Sequence, residues 1–203
     1  MDVMRTDEPP RPGLRERKKA KTRALIQEQA LRLFRERGYE DTSIEEIAEA
    51  AEVSPSTVFR YFPTKPDLVI YDDLDERMID AFRAQPAELN PVQALRASLR
   101  SGFAGLAGEE LALQLEREKL MRSVPELQGA MLGEFTRTLR EIADLVAERT
   151  GRPADDDDVL ALAGSVIGLS IAAWLGSEDE SWTERFLARI DRGMALLESG
   201  FDF

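Results

Sequence analysis

The feature that most constrains this chain is a very short segment held between two prolines. Ser54 and Pro55 open the segment, and Pro63 closes it. Serine is favoured as a helix N-cap, and proline is favoured at the first helical position because its missing N–H is not needed there. Since a later proline cannot continue a helix, the sequence predicts a helix from Pro55 to about Tyr61 that ends abruptly.

A long helix and a short one are predicted before this segment. The long helix runs from about Leu14 to Arg37 and stops at Gly38, which suits a left-handed C-terminal turn. The short helix is predicted to begin with a capping box, because Thr42 and Glu45 have the required spacing. The apolar faces follow the helical repeat and consist of Ile26, Ala30, Leu33 and Phe34 in the first helix and Ile44, Ile47, Ala48 and Ala51 in the second.

In chain order, the second and third of these predicted helices form the pattern of a helix-turn-helix, with the tight turn at Glu52 and Val53. The charge distribution fits this motif. The net charge is −12, but the acidic excess lies mostly beyond residue 65. The N-terminal arm carries roughly +6 and would attract phosphate, although a solvated tail has the same composition. Its basic residues are Arg11, Arg15, Arg17, Lys18, Lys19, Lys21 and Arg23.

Composition argues against several classes of protein. The chain has no cysteine and no histidine, which excludes disulfides, thiolate nucleophiles and the common zinc sites. The carboxylates fall on predicted helix surfaces and helix N-termini, and no glycine-rich phosphate loop is present. We therefore expect no enzymatic activity, no metal and no cofactor. The N-terminus has no apolar stretch of the signal-peptide kind, so a cytoplasmic location is expected.

The run from Ala24 to Leu68, ALIQEQALRLFRERGYEDTSIEEIAEAAEVSPSTVFRYFPTKPDL, closely resembles the N-terminal signature of the TetR family of bacterial transcriptional regulators. It extends without gaps over nearly the whole three-helix region. The resemblance implies phosphate contacts at the start of the second helix and at the lysine after the third, and base or phosphate contacts from the third helix. The implied DNA-binding residues are Thr42, Ser43, Ser54, Ser56, Thr57, Phe59, Arg60, Tyr61 and Lys65.

Phe59 departs from the family pattern, in which this position is often tyrosine and its hydroxyl contacts the DNA backbone. Phe59 is limited to apolar contact, for example with a thymine methyl group, or to packing. Arg60 beside it would bind either a guanine through two hydrogen bonds or a phosphate.

The whole chain is predicted to be all-α, with about nine helices. Residues 1–13 are expected to form a disordered tail, residues 14–65 the helix-turn-helix DNA-binding domain, and residues 66–203 a helical ligand-binding and dimerisation domain. The fourth helix is predicted as one continuous element from near Pro66 to just before Pro86.

The segment from Val159 to Gly176 carries no charge and is apolar on nearly every side, so it must be surrounded. Its acidic flanks favour a buried helix over a membrane span. In the TetR family the last two helices pair with their copies in a second subunit; a purely intrachain core is the alternative. The predicted homodimer interface is Gly164, Ile167, Gly168, Ile171, Ala172, Leu175, Phe186, Ile190, Met194 and Leu197.

The resemblance also implies an effector pocket inside helices four to eight. Its candidate lining residues, which at this spacing would equally suit a plain core, are Met78, Phe82, Phe103, Arg117, Leu120, Met121, Met131, Phe135, Leu139, Val166 and Trp174. The methionines favour a bulky apolar or amphipathic effector. Arg117, Lys119 and Arg122 would hold an anionic group, and the C-terminal half also resembles family members that sense acyl-CoA-like molecules.

These features predict a cytoplasmic transcriptional regulator, in the form of a ligand-released repressor that binds a pseudo-palindromic operator as a homodimer. Its partners would be double-stranded operator DNA, a second copy of the chain and a small-molecule effector, with no membrane. An activator or ligand-independent repressor of the same fold is one alternative. A helical adaptor that has lost DNA binding is another, but an adaptor has no use for the basic arm together with Arg60, Tyr61 and Lys65.

Overall fold

The computed structural model of the chain describes residues 13–72, 74–104, 107–175 and 182–200. Within these residues the regular secondary structure is entirely α-helical, which confirms the predicted fold class. The chain divides into two compact units, an N-terminal unit up to Val69 and a C-terminal unit from Ile70 onward. The predicted disordered tail lies outside the described residues, except for Gly13.

The N-terminal unit consists of three helices and most of a fourth. Helix α1 spans Leu14–Arg37, α2 spans Ile44–Ala50, α3 spans Pro55–Tyr61, and the short α4 spans Asp67–Ile70. The bounds of α1 and α3 are the predicted ones. Helix α2 packs against both α1 and α3. The core side chains, each at most 2% exposed, are Ile26, Leu31, Phe34, Ile47, Val58, Phe62 and Leu68.

The capping box of α2 lies one residue later than the sequence pattern predicts. Ser43 is the N-cap, its hydroxyl accepts from the Glu46 amide at 3.2 Å, and the Glu46 carboxylate accepts from the Ser43 amide at 2.8 Å. Thr42 is 1% exposed and donates its hydroxyl to the Gly38 carbonyl at 2.8 Å. Because Thr42 is used to close the end of α1, the cap of α2 passes to the next residue, and the predicted Thr42–Glu45 box is wrong.

The described part of the C-terminal unit contains six further helices. Helix α6 packs against α5 and α10, α9 packs against α8 and α10, and α7 packs against α8. The core shared by these helices includes Phe82, Leu95, Val146, Val159, Ala163, Ile190 and Met194. The helices are α5 (Leu74–Arg83), α6 (Pro91–Ala104), α7 (Gly108–Ser123), α8 (Pro125–Thr150), α9 (Asp157–Leu175) and α10 (Trp182–Ser199).

The predicted fourth helix is interrupted, and the interruption has a tertiary cause. The carbonyl oxygens of Ile70 and Tyr71 accept hydrogen bonds from Nη2 of Arg117, at 2.8 and 2.5 Å. The amide of Leu74 donates to the Asp72 carboxylate at 2.9 Å, although in a continuous helix it would donate to the Ile70 carbonyl. A side chain from α7 therefore replaces part of the backbone ladder, and the chain forms α4 and α5 where one helix was predicted.

Helix α9 has one packed face and one open face. It is long and apolar enough to cross a membrane by length and composition alone, but one side packs against α8 and α10. Gly193 permits this close packing, because a Cβ there would lie 2.4 Å from a Leu169 methyl carbon. On the open side Leu175 is 66% exposed, and a Cβ at Gly164 or Gly168 would meet nothing within 4 Å.

Candidate functional sites

Helix α3 buries one face and presents the other to solvent. Val58 and the following Phe62 are at most 1% exposed and hold the helix against the core. The N-cap Ser54 fixes the start of the helix, since its hydroxyl accepts from the Thr57 amide at 3.2 Å. Ser56 lies in the exposed first turn, 2.9 Å from the Ser54 hydroxyl. The helix is therefore held in place by its inner face and its N-cap, and its outer side chains are not part of the core.

The outer face of α3 carries an apolar and a cationic side chain side by side. Phe59 is 48% exposed, which is unusual for a large aromatic residue on so short a helix. Arg60 is exposed, and its guanidinium carbon lies 5.4 Å from the centre of the Tyr61 ring. Tyr61 and Thr57 are half-buried beside them. This face combines donors with a flat apolar surface, which suits both phosphate and base-edge contacts.

The remaining predicted DNA-binding residues lie at the edges of the same unit. Ser43 is half-buried and engaged in the α2 cap, whereas Thr42 is buried and its hydroxyl is already bound to Gly38. The Thr42 side chain is therefore not free to contact phosphate. The ammonium of Lys65 lies 4.3 Å from the centre of the Tyr39 ring and 5.8 Å from that of Phe34, so its direction is fixed by a cation–π contact.

The basic arm continues into the first turns of α1. Its side chains from Arg15 to Lys21 are exposed on that helix, and Arg11 lies outside the described residues. The acids that line the cavities described next all lie in the C-terminal unit. The first turns of α1 thus carry a concentration of exposed positive charge.

Two of the cavities in the described part of the C-terminal unit adjoin each other, with volumes of about 170 and 100 Å³. The larger cavity is lined by the predicted residues Met78, Phe103, Met121, Met131 and Phe135, and the smaller by Met78, Phe82 and Val166. Four predicted residues line neither cavity. Leu120 and Leu139 are half-buried, Trp174 donates its indole N–H to Glu118 at 3.1 Å, and Arg117 binds the Ile70 and Tyr71 carbonyls.

The sequence interpretation missed the polar residues of these walls. Asp75 lines both cavities, and Gln114, Glu118 and Glu134 line the larger one. A signal was present. Asp75 stands three residues before Met78 on the apolar face of α5, and Glu118 stands at the same spacing before Met121 in α7. A carboxylate that interrupts an apolar stripe at helical spacing indicates a charged group facing the interior.

Burial shifts the ionisation of these carboxylates. It raises the pKa of Asp75 to about 7, and repulsion from Asp72, Glu134 and Glu141 adds to this shift. Burial also raises the pKa of Glu118 to about 7, against the opposing effect of Arg122 and the Trp174 hydrogen bond. The pKa of Glu134 is raised by the same cause. Ionised carboxylates are costly in such surroundings unless a cation accompanies them.

The arginines expected to hold an anionic effector are occupied by the protein itself. Arg117 is 4% exposed and lies 3.4 Å from the Asp72 carboxylate, in addition to its two carbonyl partners. Arg122 donates to the Trp174 carbonyl and lies 3.7 Å from Glu118. Lys119 is exposed. None of the three is among the residues that line the cavities, so the predicted anion site has no support in this geometry.

The predicted interface residues separate into two groups. Ile167, Ile190 and Met194 are at most 7% exposed within the single chain and belong to its own core, and Phe186 lines the larger cavity. Ile171 and Leu197 are half-buried. Gly164, Gly168, Ala172 and Leu175 remain on the open face of α9.

Comparison with known proteins extends over both units. Residues 26–71 match the family model described as bacterial regulatory proteins, tetR family, and residues 89–202 match the MftR C-terminal domain model. The chain is 35% identical over 170 residues to the HTH-type transcriptional regulator TcmR of Streptomyces glaucescens, which covers 77% of this chain and 75% of TcmR.

Solved structures give the same result for the fold. FadR of Thermus thermophilus, a TetR-family transcriptional repressor in complex with lauroyl-CoA, is 25% identical with a TM-score of 0.53, covering 89% of this chain and 95% of FadR. A TetR-family regulator from Streptomyces coelicolor is 18% identical with a TM-score of 0.51, covering 93% of this chain and 99% of that protein.

Proposed function

The chain belongs to the TetR family of bacterial regulatory proteins, and from that premise we propose that it is a repressor released from DNA by a small molecule. It is a DNA-binding transcriptional regulator. In our proposal a homodimer binds a pseudo-palindromic operator in the cytoplasm, and an effector that enters the C-terminal cavities weakens this binding.

The observation that carries the proposal is the outer face of α3. Phe59 and Arg60 are exposed there, whereas Val58 and Phe62 hold the other side of the helix against the core. The helix has only about two turns, so a single unit makes few base contacts. Specific affinity then requires two copies on two half-sites, about 34–36 Å apart along the DNA. In this proposal Lys65 contacts a phosphate of the DNA, and Arg60 recognises a base.

The open face of α9 supports the dimer. Gly164, Gly168 and Ala172 form a strip of small residues between the exposed Leu160 and Leu175. Small side chains let a second helix approach closely, and the strip carries no charge that would have to be desolvated. We therefore assign the open face of α9, rather than the buried residues of α10, to the subunit interface.

Hydrogen bonds of Arg117 connect the larger cavity to the start of the second unit. Gln114 lines the larger cavity and accepts from Nη1 of Arg117 at 3.2 Å. Arg117 in turn binds the Ile70 and Tyr71 carbonyls, where the chain leaves α4. An effector that draws Gln114 into a new contact favours a second arrangement of this junction. It weakens DNA binding only as far as it prefers that arrangement.

The proposed function is tested by fluorescence anisotropy with DNA from upstream of the protein's own gene, with a random duplex as control, across a salt series. We expect tight binding of a dimer to the first duplex and weaker, more salt-dependent binding to the second. Equal binding to both would mean that the basic arm alone contacts DNA. No binding to either at low salt would favour a helical adaptor. Activation of a reporter, or a response that no compound alters, would indicate an activator or a ligand-independent repressor.

A further inference from the structure

The walls of the two cavities carry an excess of negative charge. Five carboxylates line them, and no lysine or arginine does among the described residues. The rest of the larger wall is mainly apolar and includes the thioether and aromatic side chains of Met121, Met131 and Phe135. The five acids are Asp72, Asp75, Glu118, Glu134 and Glu141.

The nearby arginines do not balance this charge. Arg117 accompanies Asp72 at 3.4 Å, and Arg122 accompanies Glu118 at 3.7 Å. Among the residues that the structure describes, only Arg137 pairs with the remaining three acids: it contacts Glu134 directly and lies 3.6 Å from Glu141 and 3.9 Å from Asp75. Its side chain is 52% exposed, so water screens much of its charge. One screened cation therefore faces three carboxylates.

A second observation also indicates a ligand in the larger cavity. Gln114 is 8% exposed and lines the cavity. Its side-chain oxygen accepts from Arg117, but its side-chain nitrogen donates to no acceptor in the described part of the chain. The side chain of Gln114 has little access to solvent, so its N–H groups are best satisfied by an acceptor inside the cavity. A ligand oxygen or nitrogen inside the cavity would provide one.

We propose that the effector of these cavities is an organic cation, an apolar body that carries a protonated amine, with the amine placed against Asp75 and Glu134. This inference rests on the proposed function only in naming the cavities as the effector site. The apolar body contacts the methionine and phenylalanine walls, where soft side chains adapt to its shape. An acyl-CoA, the type of ligand bound in the FadR complex, would bring several negative charges to a wall that is already negative.

The test compares three probes with the same two-ring body: 1-naphthylmethylamine, 1-naphthalenemethanol and 1-naphthoate. Binding to the full-length protein is measured by isothermal titration calorimetry at pH 7.5. We expect the amine to bind at least about tenfold more tightly than the alcohol, and the naphthoate to bind most weakly, because only the amine supplies a positive charge to the carboxylates. Equal affinities, tighter binding of the naphthoate, or no binding of any probe would overturn the proposal.

The residue assignment is tested with Asp75→Asn, which keeps the shape of the side chain. This variant should lose the preference for the amine by about tenfold while its affinity for the alcohol stays the same. Asp80→Asn is the matched control, because Asp80 is exposed on the same helix and should leave all three affinities unchanged. Retained amine preference in Asp75→Asn would overturn the assignment. Unchanged alcohol binding shows that the variant is folded.

Failure of this inference and failure of the proposed function can be told apart. If the protein binds its upstream DNA but shows no preference for the amine, the effector class is wrong and the regulator stands. If the amine preference depends on Asp75 but no DNA is bound, the cavity assignment stands and the repressor proposal fails.

Discussion

The two units of this protein use their interiors in opposite ways. The N-terminal unit fills its interior: Phe34, Ile47 and Val58 are nearly inaccessible, and Phe59 is exposed on the outer face of α3. The C-terminal unit keeps two cavities and places Asp75 and Glu118 against them. Space and buried charge both reduce stability. The comparison indicates that the first unit is closely packed, whereas the second keeps open space and buried carboxylates at the expense of stability.

The helix caps and the contacts between helices differ in how far along the chain they reach. In the N-terminal unit the caps join residues three apart, such as Ser43 with Glu46 and Ser54 with Thr57. In the C-terminal unit Trp174 donates to Glu118, and Arg96 is bonded to Asp191 at 2.8 and 2.9 Å. Local contacts form with the helix itself, while the distant ones form only when the helices are assembled.

The largest effect is expected from Phe34→Ala, which should destabilise the filled unit by about 3–5 kcal/mol because it leaves a void in a closed core. The two tryptophans, Trp174 and Trp182, both lie in the C-terminal unit, so their fluorescence reports on that unit separately. We expect circular dichroism to show an early loss of helix before the tryptophan signal changes. Phe59→Ala is the control and should leave stability nearly unchanged. Simultaneous loss of both signals would show that the units do not unfold separately.

The next effect concerns the exposed face of the N-terminal unit. Arg60→Ala should reduce discrimination between operator and random DNA by about 1–3 kcal/mol, since a two-pronged base contact is lost. Lys65→Ala should weaken binding to both duplexes similarly and lower the slope of the salt dependence by about one. Anisotropy titrations measure both quantities. If the two variants behave alike, the division into base and phosphate contacts is wrong.

The cost of the buried carboxylate is tested by Asp75→Asn without any ligand. The pKa of Asp75 is raised from 3.8 to about 7 in the folded state, so the folded protein holds a proton that the unfolded chain releases between these values. The contribution of the Asp75 carboxyl group to the free energy of unfolding therefore falls as pH rises from about 4 to 7. Asparagine does not titrate, so the variant does not show this fall.

We expect Asp75→Asn to raise the free energy of unfolding by about 1–2 kcal/mol at pH 8, a value reduced for solvent screening because a third of the side chain is exposed. The gain should be smaller at pH 5. Urea unfolding followed by tryptophan fluorescence measures both, with Asp80→Asn as the control. A loss of stability at pH 8 would contradict the account.

The smallest effect tests the local caps of the N-terminal unit. Ser43→Ala should cost about 1 kcal/mol in the free energy of unfolding, because the N-cap hydroxyl of α2 is lost. Glu46→Ala should also lower the urea midpoint, whereas Glu45→Ala should not, since Glu46 and not Glu45 closes the box. The reverse order for the two glutamates would restore the pattern inferred from the sequence.

How well the sequence predicted each feature depends on whether that feature rests on local contacts or on contacts between distant residues. The bounds of α1 and α3 were predicted because Gly38, Ser54, Pro55 and Pro63 act on their immediate neighbours. The cap of α2 was misplaced by one residue because Thr42 is used elsewhere, by the Gly38 carbonyl. Several apolar residues of the cavity walls could be named from helical periodicity. The carboxylates among them were overlooked, although their position on the apolar faces was visible.

The sequence by itself determined the helical class, the helix-turn-helix order and the exposed face of α3, because caps, prolines and the 3.6-residue repeat are local properties of the chain. Only the tertiary structure decided where Arg117 interrupts the fourth helix and which apolar residues of α9 and α10 stay open. These features depend on pairs separated by many residues, such as Arg117 with Ile70 and Glu118 with Trp174. Such pairs have no characteristic spacing in the sequence, because only the packing of the helices brings them together.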